Sequence, residues 1–288
     1  MKQAIRKSPI SETKCYRIND LIAPYFDPHW HFHQEYQLAF VLQGTGTRFV
    51  GDDISHFEPG DMVLTGANLP HVWRNDEEYF QNKGLLTHVI VIYFSIDFLQ
   101  GAFLNKEEMK GIRELLERSH RGLLIQGETR DHVGSIVQKM TAQKGFEGVI
   151  SLLRILNILS TKKLKFINKE GYLNTVTDSD SDRMSRIHSY ILDHYRGELK
   201  LGQLAQLANL TPTAFSRYFK AHTNKTFTDF IAELRISNAC KLLQRNDLSI
   251  LRIAHECGYR TLSNFNKKFR ELMDDSPLQY RKKYRNIG

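Results

Sequence analysis

The sequence predicts an α+β protein: a strand-rich N-terminal domain with accessory helices, then an all-α domain holding two helix-turn-helix units. Three observations lead there. Residues 29–100 are short apolar runs punctuated by Gly and Pro, while residues 106–118, roughly 130–166 and nearly everything after 183 have helical spacing. A set of residues recurs after about fifty positions in the last third of the chain. The charge is also unevenly divided. The 288 residues carry 40 Lys+Arg against 32 Asp+Glu, a net of +8. From Arg183 to Gly288 there are 19 and 9, a net of +10, which leaves residues 1–182 at −2. Positive charge confined to one domain points to nucleic acid as its partner, through release of counterions from phosphates.

Composition excludes several classes. With 41% hydrophobic, 11% aromatic and 25% charged residues, the chain is neither disordered nor fibrous. Its longest apolar run, Val89–Phe94, falls far short of the ~18 residues of a membrane-spanning helix. The opening MKQAIRKSPISETK lacks the apolar stretch of a signal peptide. A cytoplasmic protein with no membrane partner is expected. Cys15, Cys240 and Cys257 are odd in number and far apart, so neither a disulfide framework nor a Cys-x-x-Cys metal site follows. There is no Ser-His-Asp arrangement and no phosphate-cradling glycine loop, and the expectation is a non-enzyme without a cofactor.

In the N-terminal domain the strand-like runs are YQLAFVLQG, GTRFV, DMVLTG and HVIVIYF. In Val149–Leu159 apolar residues fill more than one helical face, so that helix must be covered on two sides. One cover is its own domain and the other a second copy of the chain, which makes 130–166 a candidate dimerisation region of a homodimer. Thr175–Arg183 (TVTDSDSDR) is polar and acidic and reads as a linker. The expected domains are therefore 1–174, for effector binding and dimerisation, a linker at 175–183, and a DNA-binding domain at 184–288.

The last domain opens on a helical stripe of Met184, Ile187, Ile191 and Leu192. Within it Thr211, Phe215, Phe219, Asn224, Thr226 and Phe227 are echoed fifty positions later by Thr261, Phe265, Phe269, Asp274, Ser276 and Pro277. Leu204-Ala205 is echoed after forty-nine by Ile253-Ala254, so the second unit has one extra turn residue. Each unit is a short helix (201–208, 250–257), a tight turn and a second helix (212–222, 262–272). Thr211-Pro212 is an N-cap hydroxyl followed by a proline at the first helical position, and Ser249 and Thr261 can cap the helices of the second unit. Gly258 supplies the positive φ that the second turn requires.

The pairs Phe215/Phe219 and Phe265/Phe269 should face the core. The opposite faces then carry Thr213, Ser216, Arg217 and Lys220, and Ser263, Asn266, Lys267 and Arg270, with Arg260 and Thr261 at the preceding turn. Small hydroxyls, an amide and long cations suit a major groove: cations for phosphates and guanine, amides for adenine. Between the units, Phe227–Leu243 has helical apolar spacing and a length of roughly 25 Å. With its flanking turns it can hold the recognition helices about 34 Å apart, one turn of duplex.

The stretches LAQLANLTPTAFSRYFKAHTNKTF, DFIAELRISNACKLL and SILRIAHECGYRTLSNFNKKFRELMDDSPLQYR resemble the DNA-binding domain of AraC-family (arabinose-regulator type) transcriptional regulators. The signature of that family is matched at Ile253-Ala254, Gly258-Tyr259, Ser263, Phe265, Phe269-Arg270, Ser276-Pro277 and Tyr280-Arg281. Asn224 and Asp274 stand where the family usually has glycine. They are the non-glycine residues that best tolerate a left-handed conformation, so the fold should survive. The resemblance implies sequence-specific binding of double-stranded DNA, regulation of transcription (with RNA polymerase as a partner if the chain is an activator), and a cupin-like N-terminal β-barrel that binds a small-molecule effector, in many relatives a sugar.

The sequence partly fits that barrel. His31-x-His33-x3-Gln37-x6-Gly44 follows the first cupin motif, with Gln37 in place of glutamate, and Pro59-Gly60-Asp61, Gly66 and Pro70-His71 resemble the second. Strand alternation would direct His31, His33, Glu35 and Gln37 to one side, joined by His71. Three readings stay open: a metal site of His31, His33 and His71 completed by Gln37 or Glu35; a metal-free effector pocket with Trp73 or Phe32 for stacking; and structural histidines. The missing glutamate favours the pocket without metal. The rival functions are a metal-dependent cupin enzyme with a DNA-binding appendage, and a nonspecific architectural DNA-binding protein.

Overall fold

A computed structural model gives the fold and describes residues 10, 11, 13–95, 103–172, 178–244 and 248–285. The chain divides near residue 174 into two compact units. The first contains strands β1 (Tyr16–Ala23), β2 (Tyr36–Gln43), β3 (Gly46–Val50), β4 (Asp53–Phe57), β5 (Met62–Thr65), β6 (His71–Asn75) and β7 (Thr87–Phe94). After these come α1 (Lys110–Ser119), β8 (Leu123–Leu124), α2 (Gly127–Met140), α3 (Phe146–Ser160) and β9 (Lys165–Phe166). One sheet has the order β1-β7-β2-β5-β8-β9 and the other β4-β3-β6.

The strand β2 shows why its run of apolar residues is nearly unbroken. Tyr36, Leu38 and Phe40 point to one face, where Met62, Leu64, Ile90, Ile92 and Phe94 join residues of α1, α2 and α3 in the larger core. Ala39 and Val41 point to the other, packing with Val63, Val89 and Val91 and, from the smaller sheet, with Val50, Phe57 and Trp73. A strand covered on both sides loses polar alternation. At Gly148 in α3 an added Cβ would fall 1.7 Å from the Tyr16 hydroxyl, so only glycine lets this helix lie so close to β1.

The helical region at 130–166 is two helices, α2 and α3, separated by Thr141–Gly145. β1 and β4 extend the strands beyond the runs legible in sequence; β1, at the edge of its sheet, has exposed and half-buried residues on both faces and so shows no clean alternation.

The second unit holds α4 (Asp178–His194), α5 (Leu201–Leu207), α6 (Pro212–Thr223), α7 (Phe227–Gln244), α8 (Ile250–Glu256), α9 (Leu262–Met273) and α10 (Pro277–Arg285). The predicted linker 175–183 needs correction. Residues 175–177 lie outside the described residues, and from Asp178 onward the segment is the start of α4. Asp178, Asp180 and Asp182 give it a linker-like composition, yet acidic residues at a helix N-terminus are favoured by the peptide dipoles. Buried Met184, Ile187 and Ile191 give α4 a core-facing side.

The repeat recurs in space as the pairs α5/α6 and α8/α9. Leu210 N–H donates to the Ala205 carbonyl at 2.8 Å, as Tyr259 N–H does to Ala254 at 2.9 Å, and Asn209 (φ 56°) and Gly258 (φ 82°) are the left-handed turn residues. Thr211 and Thr261 lie two and three positions after these turn residues, which makes Arg260 the extra residue. Their side chains accept from Ala214 N–H and Asn264 N–H, both at 3.3 Å, and Ser249 caps α8 through Arg252 N–H at 3.2 Å. Asn224 (φ 54°) and Asp274 (φ 55°) end α6 and α9 in the left-handed region.

Each pair has its own aromatic core. Phe219 meets Phe215, Phe227 and Phe230 at ring separations of 5.6, 5.8 and 5.3 Å. Phe269 meets Phe265 at 5.7 Å and Tyr280 at 5.6 Å. The helix α7 serves both, its Ile236, Ala239 and Leu243 belonging to the second core.

Candidate functional site

With Phe215, Phe219, Phe265 and Phe269 turned inward, the opposite faces of α6 and α9 meet solvent. Thr213, Ser216, Arg217 and Lys220 are exposed on α6, and Ser263, Lys267 and Arg270 on α9. Asn266 is half-buried and borders, with Ser263, Lys267, Arg270 and Glu271, one shallow depression. The α6 face carries no glutamate. The α9 face has Glu271 at its margin, where an exposed ion pair with Lys268 (2.7 Å) holds its carboxyl below the usual range. Arg217, Lys220, Lys267 and Arg270 make no ion pair among the described residues, so these four cations remain available to an incoming polyanion. Arg260 is exposed and reaches Glu198 at 2.8 Å. The Thr261 hydroxyl accepts the capping bond of α9 and keeps its proton to donate. The Ser216 hydroxyl donates to the Pro212 carbonyl at 3.0 Å, a bond within its own helix.

In the first unit the sequence-predicted histidines do converge. His31, half-buried, pairs with His71 of β6 through two main-chain bonds: His71 N–H donates to the His31 carbonyl at 2.8 Å, and His31 N–H to His71 at 3.2 Å. The His31 and His71 rings lie 4.6 Å apart, His33 and His71 5.0 Å, and His31 and His33 6.1 Å. One nitrogen from each ring falls within 4.8 Å of the others. Gln37 sits between two of them, its Oε1 at 3.2 Å from His33 Nε2 and 3.3 Å from His71 Nε2. The cluster lies at the end of the layer between the sheets. Gln37 is in register with Thr65 of β5 and Tyr93 of β7, next to the apolar Ala39–Val63–Val91 row.

Two predicted residues behave differently from the expectation. Strand geometry begins only at Tyr36, so the alternation assumed for residues 31–35 does not hold. Glu35 is buried, but its carboxylate lies 3.5 Å from His33 Nδ1, on the far side of that ring from the convergent nitrogens. Trp73 stands edge-on to His71 at 5.7 Å, and its indole N–H donates to Asp61 at 3.2 Å.

Asp61 is also salt-bridged to Arg48, and both side chains are buried. The sequence reading missed this interior Arg48–Asp61–Trp73 group, as well as Tyr93, whose ring packs on His33 at 5.3 Å. A signal was present for Arg48: a charged residue in the middle of the otherwise uncharged GTRFV strand.

Comparisons with known proteins agree with this division. Residues 21–79 match the family described as "Cupin domain", and residues 204–283 the one described as "Helix-turn-helix domain". Over 285 residues the chain is 23% identical to the "Uncharacterized HTH-type transcriptional regulator YdeC" of Bacillus subtilis (strain 168), covering 93% of this chain and 91% of that one. Over 256 residues it is 25% identical to the "HTH-type transcriptional activator RhaS" of Escherichia coli O81 (strain ED1a), covering 87% and 86%. A solved structure described as the DNA-binding domain of AdpA in complex with a target DNA is 26% identical, covers 36% of this chain and 95% of its own, and has a TM-score of 0.35.

Proposed function

Since the chain is a transcriptional regulator of the AraC family, with a cupin domain ahead of a helix-turn-helix domain that binds double-stranded DNA, we propose that α6 and α9 are its two base-reading helices. The observation that carries this reading is the recurrence, in equivalent helices of a repeated pair, of an exposed cationic face backed by two buried phenylalanines. Thr213, Ser216, Arg217 and Lys220 read one stretch of major groove. Ser263, Asn266, Lys267 and Arg270 read the next, with Arg260 and Thr261 at the adjoining backbone.

The test begins by selecting a site from random duplex DNA. Arg217→Ala and Lys267→Ala should each weaken binding to that site by about 1–3 kcal/mol, roughly 5- to 150-fold, with little loss on unrelated duplexes. Equal loss on every duplex would mean that these cations touch phosphates only. Affinity should also fall steeply with salt; a flat response would remove the electrostatic basis of the reading.

The histidine cluster is, on the same reading, the effector site. His31, His33, Gln37 and His71 offer hydrogen bonds to a small polar molecule, a sugar being the class that the family resemblance suggests, with Trp73 bordering them edge-on and Glu35 buttressing His33. Control requires that the effector bind one arrangement of the regulator more tightly than another. We assign the second cover of α3 to a partner copy in a homodimer. Phe146 (73% exposed) and Ile150 (44% exposed), with half-buried Leu153, form an apolar stripe that supports this. The name of the RhaS relative supports an activator, which would make RNA polymerase a further partner.

A further inference from the structure

The second helix pair departs from the first at three consecutive positions, and all three meet one stretch of chain. Aligned through Leu204-Ala205 and Ile253-Ala254, Gly258 stands where the first pair has Asn209, Tyr259 where it has Leu210, and Arg260 has no counterpart. The stretch they meet is 195–198, in the connection between α4 and α5. A Cβ on Gly258 would fall 2.5 Å from the Arg196 carbonyl oxygen, so the connection rests on the bare backbone of the second turn. Arg260 reaches Glu198 at 2.8 Å. Tyr259 takes part through Arg235 of α7, whose guanidinium lies 5.6 Å from the Tyr259 ring centre, within cation–π range. The same guanidinium donates from Nε to the Tyr195 carbonyl and from Nη2 to the Gly197 carbonyl, each at 2.7 Å.

The repeat by itself does not require this. Arg186 lies forty-nine positions before Arg235, on the equivalent helix α4, and is exposed. Arg235 is half-buried because it is caught between the end of α4 and the second turn. Carbonyls at a helix end lack intrahelical partners, and a forked guanidinium meets two of them at once, which a lysine cannot. The two pairs are therefore joined at two places. One is the rod of α7, which enters both aromatic cores. The other is this polar clasp. Packing along one rod resists separation better than rocking about it, and a second contact off its axis resists the rocking.

We propose that Arg235 is the positioning residue of a clasp that holds α9 at a fixed angle to α6, so that the chain accepts its two major-groove stretches at only one spacing. This rests on the reading of α6 and α9 as base-reading helices. One base pair added between the stretches would carry the second about 3.4 Å along the duplex and about 35° around it, beyond what a clasped head can follow.

The test uses the full chain and the site selected from random duplexes, with one base pair inserted or deleted between the stretches read by α6 and α9. A single wrong base pair typically weakens binding about 5- to 150-fold, and a misplaced α9 meets several, so the wild type should bind either altered spacing at least ~10-fold more weakly. Arg235→Gln should bind the selected site about 10-fold more weakly, since the second pair must now be ordered on binding, while its penalty for altered spacing shrinks below ~3-fold. Arg235→Lys, which keeps the charge and the stem but not the fork, should fall between the two, and it serves if the glutamine variant fails to fold. Arg186→Gln, at the equivalent position of the first unit, should keep the wild-type penalty.

A variant that is merely less stable has a smaller active fraction and loses the same factor at every spacing. An unchanged penalty in Arg235→Gln, or a wild type indifferent to spacing, therefore overturns the clasp. The two-helix reading is judged apart from it, by scrambling each stretch of the site in turn. Affinity lost with either stretch upholds that reading even where the clasp fails; affinity lost with one stretch alone overturns the reading and the clasp together.

Discussion

Removing the Phe269 ring separates the two halves of the DNA-binding unit. The side chain is 0% exposed and wedged between Phe265 and Tyr280, with Ile253 and Ala254 of α8, Cys257 just after it, and Ile236 and Ala239 of α7 in the same cluster. Phe269→Ala therefore leaves a cavity that three helices would have to close together, at a cost of about 3–5 kcal/mol. Small domains are stable by only about 5–15 kcal/mol, so the second pair should open frequently while remaining mostly folded. Hydrogen exchange reads this helix by helix. Amides of α8, α9 and α10 should exchange faster by about two to three and a half orders of magnitude, since each 1.4 kcal/mol is tenfold. The core around Phe215, Phe219 and Phe230 lies at the other end of α7 and should retain most of its protection. DNA affinity should fall with the open fraction, and the footprint should shrink on one side. Gln203→Ala, at an exposed side chain of α5, is the control and should change stability by under ~0.5 kcal/mol. Unchanged protection in α9, or equal loss in the α5/α6 pair, would refute two cores joined by one helix.

Two more outcomes follow from single residues. Gly258 has φ +82°, and a Cβ there would sit 2.5 Å from the Arg196 carbonyl oxygen, so Gly258→Ala should cost at least ~2 kcal/mol in urea denaturation; a cost below ~0.5 would mean that this close approach does not occur. His188 is buried edge-on to Phe230, and burial lowers its pKa from 6.5 to about 3. The unfolded chain then takes up a proton below pH ~6.5 that the folded chain refuses, so this group's contribution to stability is intact above that pH and lost as pH falls toward 3. Between pH 7 and 5 it should remove about 2 kcal/mol. Comparing the wild type with His188→Leu at both values isolates it, and parallel losses in the two proteins would refute it.

Much of the molecule was readable because it is written in local chemistry. The caps at Thr211, Ser249 and Thr261, the left-handed Asn224, Asp274 and Gly258, and the i, i+4 phenylalanines each act within a turn or two of their own position. A repeat at fifty residues then reveals that the same local solution is used twice. The exposed cations follow from the buried rings by helical geometry alone. Composition misled at 178–183, where aspartates that read as a linker instead begin a helix, since the same residues are soluble in a coil and favourable at a helix N-terminus.

What the tertiary structure decided is long-range. No spacing in the sequence says that Gln37 lies in register with Thr65 and Tyr93, that Arg48 reaches Asp61 inside the domain, or that the Glu35 carboxylate lies on the far side of His33 from the cluster. Those depend on strand pairing between segments tens of residues apart, and that pairing comes into being only when the sheets close over a common core.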